Sequence, residues 1–333
     1  MRLENILALT NGEIVNKPFV KKFSNISYDA KAIKRGDLFV AFENEDIEEA
    51  ILNGAYGIVF CKPTQITDAE IAWIKVKDIE DALKKLIRFY LLSKDTVVYQ
   101  TDEITLKLAK QTITETNFVI VDGDIKDFAK LLLSIEENSI ILFCPTLVDK
   151  NIFATIQTIS ETDDIKKIDI VEQTLFETSF IYDDIFYERQ LLSPFFIPYL
   201  EKLLHFYKTL DIGYRLKKFT QIDNFEAVFI NKKFEIKDFG TTDIVLIFEK
   251  DLSLYEKEVL FLKDEAPWAK KLYLAQKDTN LSKNILDIIQ YQDKNEVLDI
   301  LKECKFHFAL IIGVDKSILD KQNKQDELSL FNF

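Results

Sequence analysis

The chain has 333 residues, too many for one ordinary small core, and its 47% hydrophobic and 12% aromatic content excludes a disordered chain. Two or three packed domains are expected. A formal net charge of −13 argues against direct binding to nucleic acid or an anionic membrane surface, since both are polyanions. Only 8 glycines are present, a scarcity that bears on any phosphate-binding loop, where glycine permits close backbone approach.

The opening residues, MRLENILALTNGEI, place acids inside the apolar run and lack a small-residue cleavage pattern, so no signal peptide is expected. Short apolar runs predict strands at 38–42, 57–61, 97–100, 118–122, 140–143 and 168–171, then at 227–230, 244–248, 271–275 and 308–312. Apolar residues at helical spacing predict helices at 79–92, 105–114, 125–135, 195–210 and 283–304. Such alternation points to an α/β fold with mainly parallel sheets. No run approaches the ~18 continuous apolar residues of a membrane-spanning helix. The cysteines Cys61, Cys144 and Cys304 each sit in or beside an apolar run, as buried free thiols do in a reducing cytosol. The only two histidines, His205 and His307, lie about 100 positions apart, so no metal site of the usual kind is expected. The protein is expected to be cytoplasmic.

Residues 24–60 read SNISYDAKAIKRGDLFVAFENEDIEEAILNGAYGIVF. Gly36 suits a turn before a strand, with Asp37 placed to bond its backbone. The stretch resembles the N-terminal domain of the Mur ligases, ATP-dependent enzymes that add amino acids to the UDP-linked muramyl precursor of peptidoglycan. Ser27, Asp29 and Lys31 stand for the family's Ser, Asp and Arg, and Gly36 to Ala41 match its Gly-Asp-Leu-Phe-Val-Ala. Ala50, Gly54, Ala55 and Val59 complete the helix and strand that follow. By this resemblance Ser27, Asp29 and Lys31 bind a UDP-type ligand. Read from the residues alone, Asp29 and Lys31 are better taken as a surface ion pair, and only the flanking match brings the two readings level. Lys31 also lacks the arginine fork that grips a phosphate in two places, and the loop after Phe42 is cut to ENED.

The catalytic stations depart further from the family. DTVVYQTDEITLKLAKQ, residues 95–111, falls where a Mur ligase carries its glycine-rich ATP loop. Here Thr101, Asp102 and Glu103 form the turn without glycine, and the two acids would repel phosphates. Lys107 comes one turn too late, and Thr105 alone could mimic the metal-binding threonine. FVIVDGD, at 118–124, is either a strand ending in metal-holding acids or an ordinary strand-end turn, the reading preferred here. The asparagine the family carries before the helix at 195–210 is missing, and His205, on that helix, is read as a packed or half-exposed side chain rather than an acid–base group. Glu226 and Asp238 remain from the start of the family's C-terminal domain, with Asn224 at its arginine position and Thr241 near its histidine position.

By resemblance, then, the architecture is a three-domain one with reduced central and C-terminal domains. The expected boundaries are a precursor-binding-type domain at 1–93, a degenerate ATPase-like domain at 94–215, a Rossmann-like domain at 216–320 and a tail at 321–333. The function expected is a non-catalytic Mur ligase paralogue that binds a UDP-linked peptidoglycan precursor or a cell-wall protein partner, with no cofactor. ATP and Mg enter only if the alternative holds, an active amino-acid ligase with a rebuilt ATP site. The tail contains ELSLF, residues 327–331, which resembles the motif by which bacterial proteins bind the sliding clamp. Leu328, Leu330 and Phe331 would be its apolar anchors, and the reading preferred to clamp binding is a clip onto the protein's own surface.

Overall fold

The computed structural model describes residues 1–159, 165–216, 218–277 and 288–319. The tail residues Leu328, Leu330 and Phe331 lie outside them. The chain divides into two compact units, Met1–Thr162 with Phe206–Arg215, and Asp163–His205 with Leu216–Phe333.

The first unit holds two sheets. In one, β1 (Glu13–Ile14), β2 (Ile26–Ser27), β3 (Leu38–Val40), β4 (Gly57–Phe60) and β5 (Ala72–Lys75) lie in the order β1-β5-β4-β3-β2. All neighbours are parallel except β1, which runs antiparallel to β5. Successive side chains of a strand point to opposite faces. Leu38, Val40, Val59 and Ile74 accordingly enter one core, and Phe39, Ile58, Phe60 and Trp73 the other. A sheet covered on both faces reads as unbroken apolar runs, which is why β3 and β4 were legible, while β1, β2 and β5 were not predicted. Helices α1 (Leu3–Thr10) and α3 (Ile79–Leu92) cover the first face through Ile6, Leu83, Leu86 and Ile87, and α2 (Asp46–Leu52) covers the second through Ile47 and Ala50.

The other sheet is wholly parallel. It orders β6 (Val97–Gln100), β7 (Phe118–Val121), β8 (Ile140–Phe143) and β9 (Gln157–Thr158) as β7-β8-β6-β9. Helix α4 (Glu103–Thr112) follows β6, and α5 (Ile125–Leu133) follows β7. Phe128, Ala129 and Leu132 of α5 join the same core as α3. Aromatic contacts close another side, with Tyr99 against Phe206 at 4.9 Å and Phe118 against Tyr207 at 6.0 Å between ring centres.

The second unit begins with an antiparallel sheet of β10 (Asp169–Gln173), β11 (Thr178–Tyr182) and β12 (Ile185–Gln190). Helix α6 (Ile197–Thr209) starts here after one 3-10 turn, and its residues from Phe206 onward count with the first unit. The larger sheet has β13 (Glu226–Ile230), β14 (Ile244–Glu249), β15 (Lys271–Gln276), β16 (Ile288–Tyr291) and β17 (Phe308–Ile312), in the order β13-β14-β17-β15-β16. Only β13 is antiparallel. Helices α7 (Tyr255–Glu265) and α8 (Glu296–Glu303) belong to it.

One sequence expectation is corrected. The helix predicted over 283–304 is, from residue 288 onward, strand β16 followed by the shorter helix α8. Ile288, Ile289 and Tyr291 fit a helical spacing in sequence, but β15 offers them a parallel ladder from Tyr273 to Gln276. The acidic Asp293 then starts a separate turn, its carboxylate accepting from Asn295 N at 2.8 Å.

Candidate functional site

The turn between β6 and α4 is held by Asp102. Its carboxylate caps α4, accepting from Thr105 N and from the Thr105 hydroxyl, both at 2.8 Å. A helix N-terminus presents unpaired N–H groups and a partial positive charge, so it binds either an external anion or an internal carboxylate. Here the carboxylate of Asp102 takes that place. Glu103 pairs with Lys107 at 2.6 Å along the helix, which draws the nearest lysine to an acid one turn away. Thr105 is fully buried, with its hydroxyl committed to Asp102. Thr101 is also buried, and its hydroxyl has no hydrogen-bond partner among the described residues. Of the four residues singled out in the sequence, Asp102, Glu103 and Thr105 are thus engaged within the helix start, and Thr101 is buried beside them.

The acids after β7 are likewise used locally. Asp122 pairs with Lys110 of α4. Gly123 adopts φ +86°, and a Cβ there would meet Asp127 Oδ2 at 2.8 Å. Asp124 caps α5 through Lys126 N at 2.8 Å and Asp127 N at 3.0 Å, while Asp127 returns a bond from Asp124 N at 3.2 Å. This reciprocal box is a turn built to start a helix. Among the described residues, no group of three His, Cys, Asp or Glu side chains is placed to hold a metal ion.

At the edge of the first sheet, β2 brings Ser27 and Asp29 together. Ser27 Oγ accepts from Asp29 N at 3.1 Å, and the Asp29 carboxylate accepts from the backbone N–H of Lys31 at 3.1 Å, starting a single 3-10 turn. The Lys31 side chain is exposed, so this residue joins the cluster through its backbone. Gly36 adopts φ +98°, a conformation that glycine takes at little cost. Asp37 is buried and ties the turn together, accepting from Asn25 N at 3.1 Å, Asn25 Nδ2 at 3.2 Å and Lys34 N at 2.9 Å. The Gly-Asp pair is therefore a structural pin for β3.

Tyr28, between Ser27 and Asp29, donates its hydroxyl to the carbonyl of Lys126. Burial first, then the charges of Asp29, Asp127 and Asp124, hold this phenol above its ordinary value. Phe42 meets Tyr28 edge-on at 6.0 Å and carries the Lys126 ammonium over its face at 4.6 Å. Beside Lys126 opens a cleft of about 450 Å³, lined among others by Glu80, Lys84, Asp124, Lys126, Leu147 and Asp149. Lys84 reaches Asp149 at 3.3 Å across it. The cleft borders the loops that leave the carboxyl ends of the parallel strands β7 and β8, the position where open α/β sheets bind ligands. Its size suits a small molecule. The carboxylates can accept base or sugar N–H and O–H groups, and the two lysines can hold an anionic group.

The sequence pointed to Ser27 and Asp29 but missed Tyr28, Lys84, Lys126 and Asp149. Tyr28 stood inside the quoted motif. Lys84 and Asp149 are 65 positions apart and carry no local signal. The candidates in the second unit are dispersed. His205 lies half-buried on α6, and Glu226 pairs with Lys316 at 2.8 Å. Asp238 and Thr241 share an exposed turn, where the Thr241 hydroxyl donates to the Asp238 carbonyl at 2.7 Å. Asn224 is buried and donates to Glu249 at 3.1 Å.

No family model matches the sequence, and no curated protein does. Among solved structures, the chain is similar to the MurF ligase of Thermotoga maritima in complex with ADP, with a TM-score of 0.50 and 13% identity over 92% of this chain and 97% of that one. It is similar to MurF from Acinetobacter baumannii with a TM-score of 0.51 and 10% identity, covering 98% of each chain. Among the described residues, no helix is long and apolar enough to cross a membrane.

Proposed function

We propose that this chain, which has the fold of the Mur ligases, is a non-catalytic paralogue that binds a UDP-linked peptidoglycan precursor. One observation carries the non-catalytic half of this reading. Where the fold would place a phosphate loop, Asp102 puts its own carboxylate on the N-terminus of α4 and engages the hydroxyl of Thr105. ATP with Mg does not fit these residues. There is no glycine for backbone approach, the nearest lysine is paired with Glu103, and the only local threonine hydroxyl on α4 that could serve a metal is taken.

The binding half rests on the first unit. Ser27, Tyr28 and Asp29 sit together at the end of β2, and Tyr28 bonds the backbone of Lys126, which lines the 450 Å³ cleft. A nucleotide-linked sugar offers N–H and O–H donors for the carboxylates there and a diphosphate for Lys84 or Lys126. The test is a calorimetric and thermal-shift titration of the full chain with UDP, UDP-muramyl tripeptide and Mg-ATP, since a ligand that binds only the folded state raises the melting temperature. The precursor should bind and stabilise, and Asp29→Ala should abolish binding without unfolding the chain. Mg-ATP should do neither. Steady phosphate release with precursor and amino acid, lost in Thr105→Ala, would overturn the non-catalytic reading; no heat with any UDP compound would overturn the binding one.

A further inference from the structure

The second unit buries a cluster of acids and phenols that plays no part in the cleft described above. Glu249, at the end of β14, is fully buried. Its carboxylate accepts from Asp251 N at 2.7 Å, Phe225 N at 2.9 Å and Asn224 Nδ2 at 3.1 Å, a set of donors that suits the ionised form. Glu258 is also fully buried, on the face of α7 that carries Tyr255, Val259 and Leu262 inward. Among the described residues neither of its oxygens has a hydrogen-bond partner, and Glu249 is the charged neighbour that acts on it most strongly. The hydroxyls of Tyr255 and Tyr273 are likewise buried without partners among the described residues.

The titratable groups that face Glu258 are Glu249 from β14, Asp251 from the loop after it and Tyr255 from its own helix. Tyr255 in turn faces Tyr273 of β15. Each of these is an acid or a phenol. Two ionised carboxylates side by side in such a core have no compensating charge, so one must keep its proton. Burial, then the neighbouring Glu249 carboxylate and Asp251, hold the Glu258 acid well above the usual carboxylate range. Glu249 has the N–H donors, which leaves the proton on Glu258.

We propose that Glu258 is a proton-operated latch on α7: protonated, it lets the helix seat its inner face on the ends of β14 and β15, and ionised, it loosens the helix. Ionisation would bring a second negative charge against Glu249, and the cheapest relief is to move α7 outward into water. The folded chain holds this proton at pH values where the unfolded chain has lost it. Folded α7 therefore has its full stability below the ordinary carboxylate range and loses it as pH rises through the raised value.

Hydrogen exchange on the full chain tests the latch from about pH 5 to about pH 9, a span that covers known buried glutamates. After correction for intrinsic exchange rates, protection of the α7 amides should fall by up to about tenfold per pH unit within the titration window. Amides of β14 and β17 serve as the internal reference and should not follow. Glu258→Gln, neutral and of the same shape, should remove the slope. Glu249→Gln, which removes the neighbouring charge, should move the window to lower pH. A flat wild-type α7 profile, or a Glu258→Gln profile with the wild-type slope, would refute the latch.

Discussion

Replacing Asp102 by alanine strips the N-terminus of α4 of its carboxylate and leaves the buried Thr105 hydroxyl without its acceptor. Loss of an N-cap costs about 1 kcal/mol. A buried hydroxyl stranded without a partner adds about 1–3 kcal/mol. The sum, about 2–4 kcal/mol, corresponds to a fall of roughly 5–15 °C in the melting temperature of a unit this size. The transition is read from Trp73, fully buried in the first unit, in a Trp268→Phe background that silences the second of the two tryptophans. Asp102→Asn should keep most of the stability, because asparagine caps about as well as aspartate. Inorganic phosphate should restore part of the loss in Asp102→Ala, since the vacated helix end becomes an anion site, and should leave the wild type unchanged. A melting temperature in Asp102→Ala equal to the wild type's, or equal stabilisation of both proteins by phosphate, would refute the idea that this carboxylate stands where a phosphate would bind.

Asp37→Ala removes a buried carboxylate that accepts three N–H groups, and should cost about 2–4 kcal/mol in urea unfolding, with Asp37→Asn recovering only part because its amide has a single acceptor oxygen. Tyr207→Phe breaks the buried contact with the Thr112 hydroxyl at 3.1 Å. Thr112 keeps its bond to the Leu108 carbonyl at 2.9 Å, so the loss should be only about 0.5–1.5 kcal/mol by the same measurement.

The residues that were legible in the sequence are those whose meaning is local. Gly36-Asp37 before Leu38 announced a turn and a strand, and φ +98° at Gly36 with three bonds to Asp37 is that turn. The missing glycines at 101–107 argued against a phosphate loop there, because backbone approach depends on the residues of the loop itself. Most strands buried on both faces announced themselves as apolar runs, Ile140–Phe143 and Phe308–Ile312 among them, whereas Ala72–Lys75, equally buried, did not.

What the tertiary structure decided are the meanings that depend on distant partners. Asp102 could be seen as repelling a phosphate, but that it occupies the helix end itself follows only from the direction in which β6 delivers the chain to α4. Helix α7 escaped notice because Glu258 interrupts its apolar face, and a buried glutamate becomes acceptable only beside a Glu249 already held by three N–H groups. Residues 288–291 are a strand because β15 is there to pair with them. Lys84, Lys126 and Asp149 share a cleft because α3, α5 and the loop after β8 converge on it. Local backbone preference is written in neighbouring residues, whereas burial of charge and the lining of a cleft depend on which distant segments the folded chain brings into contact.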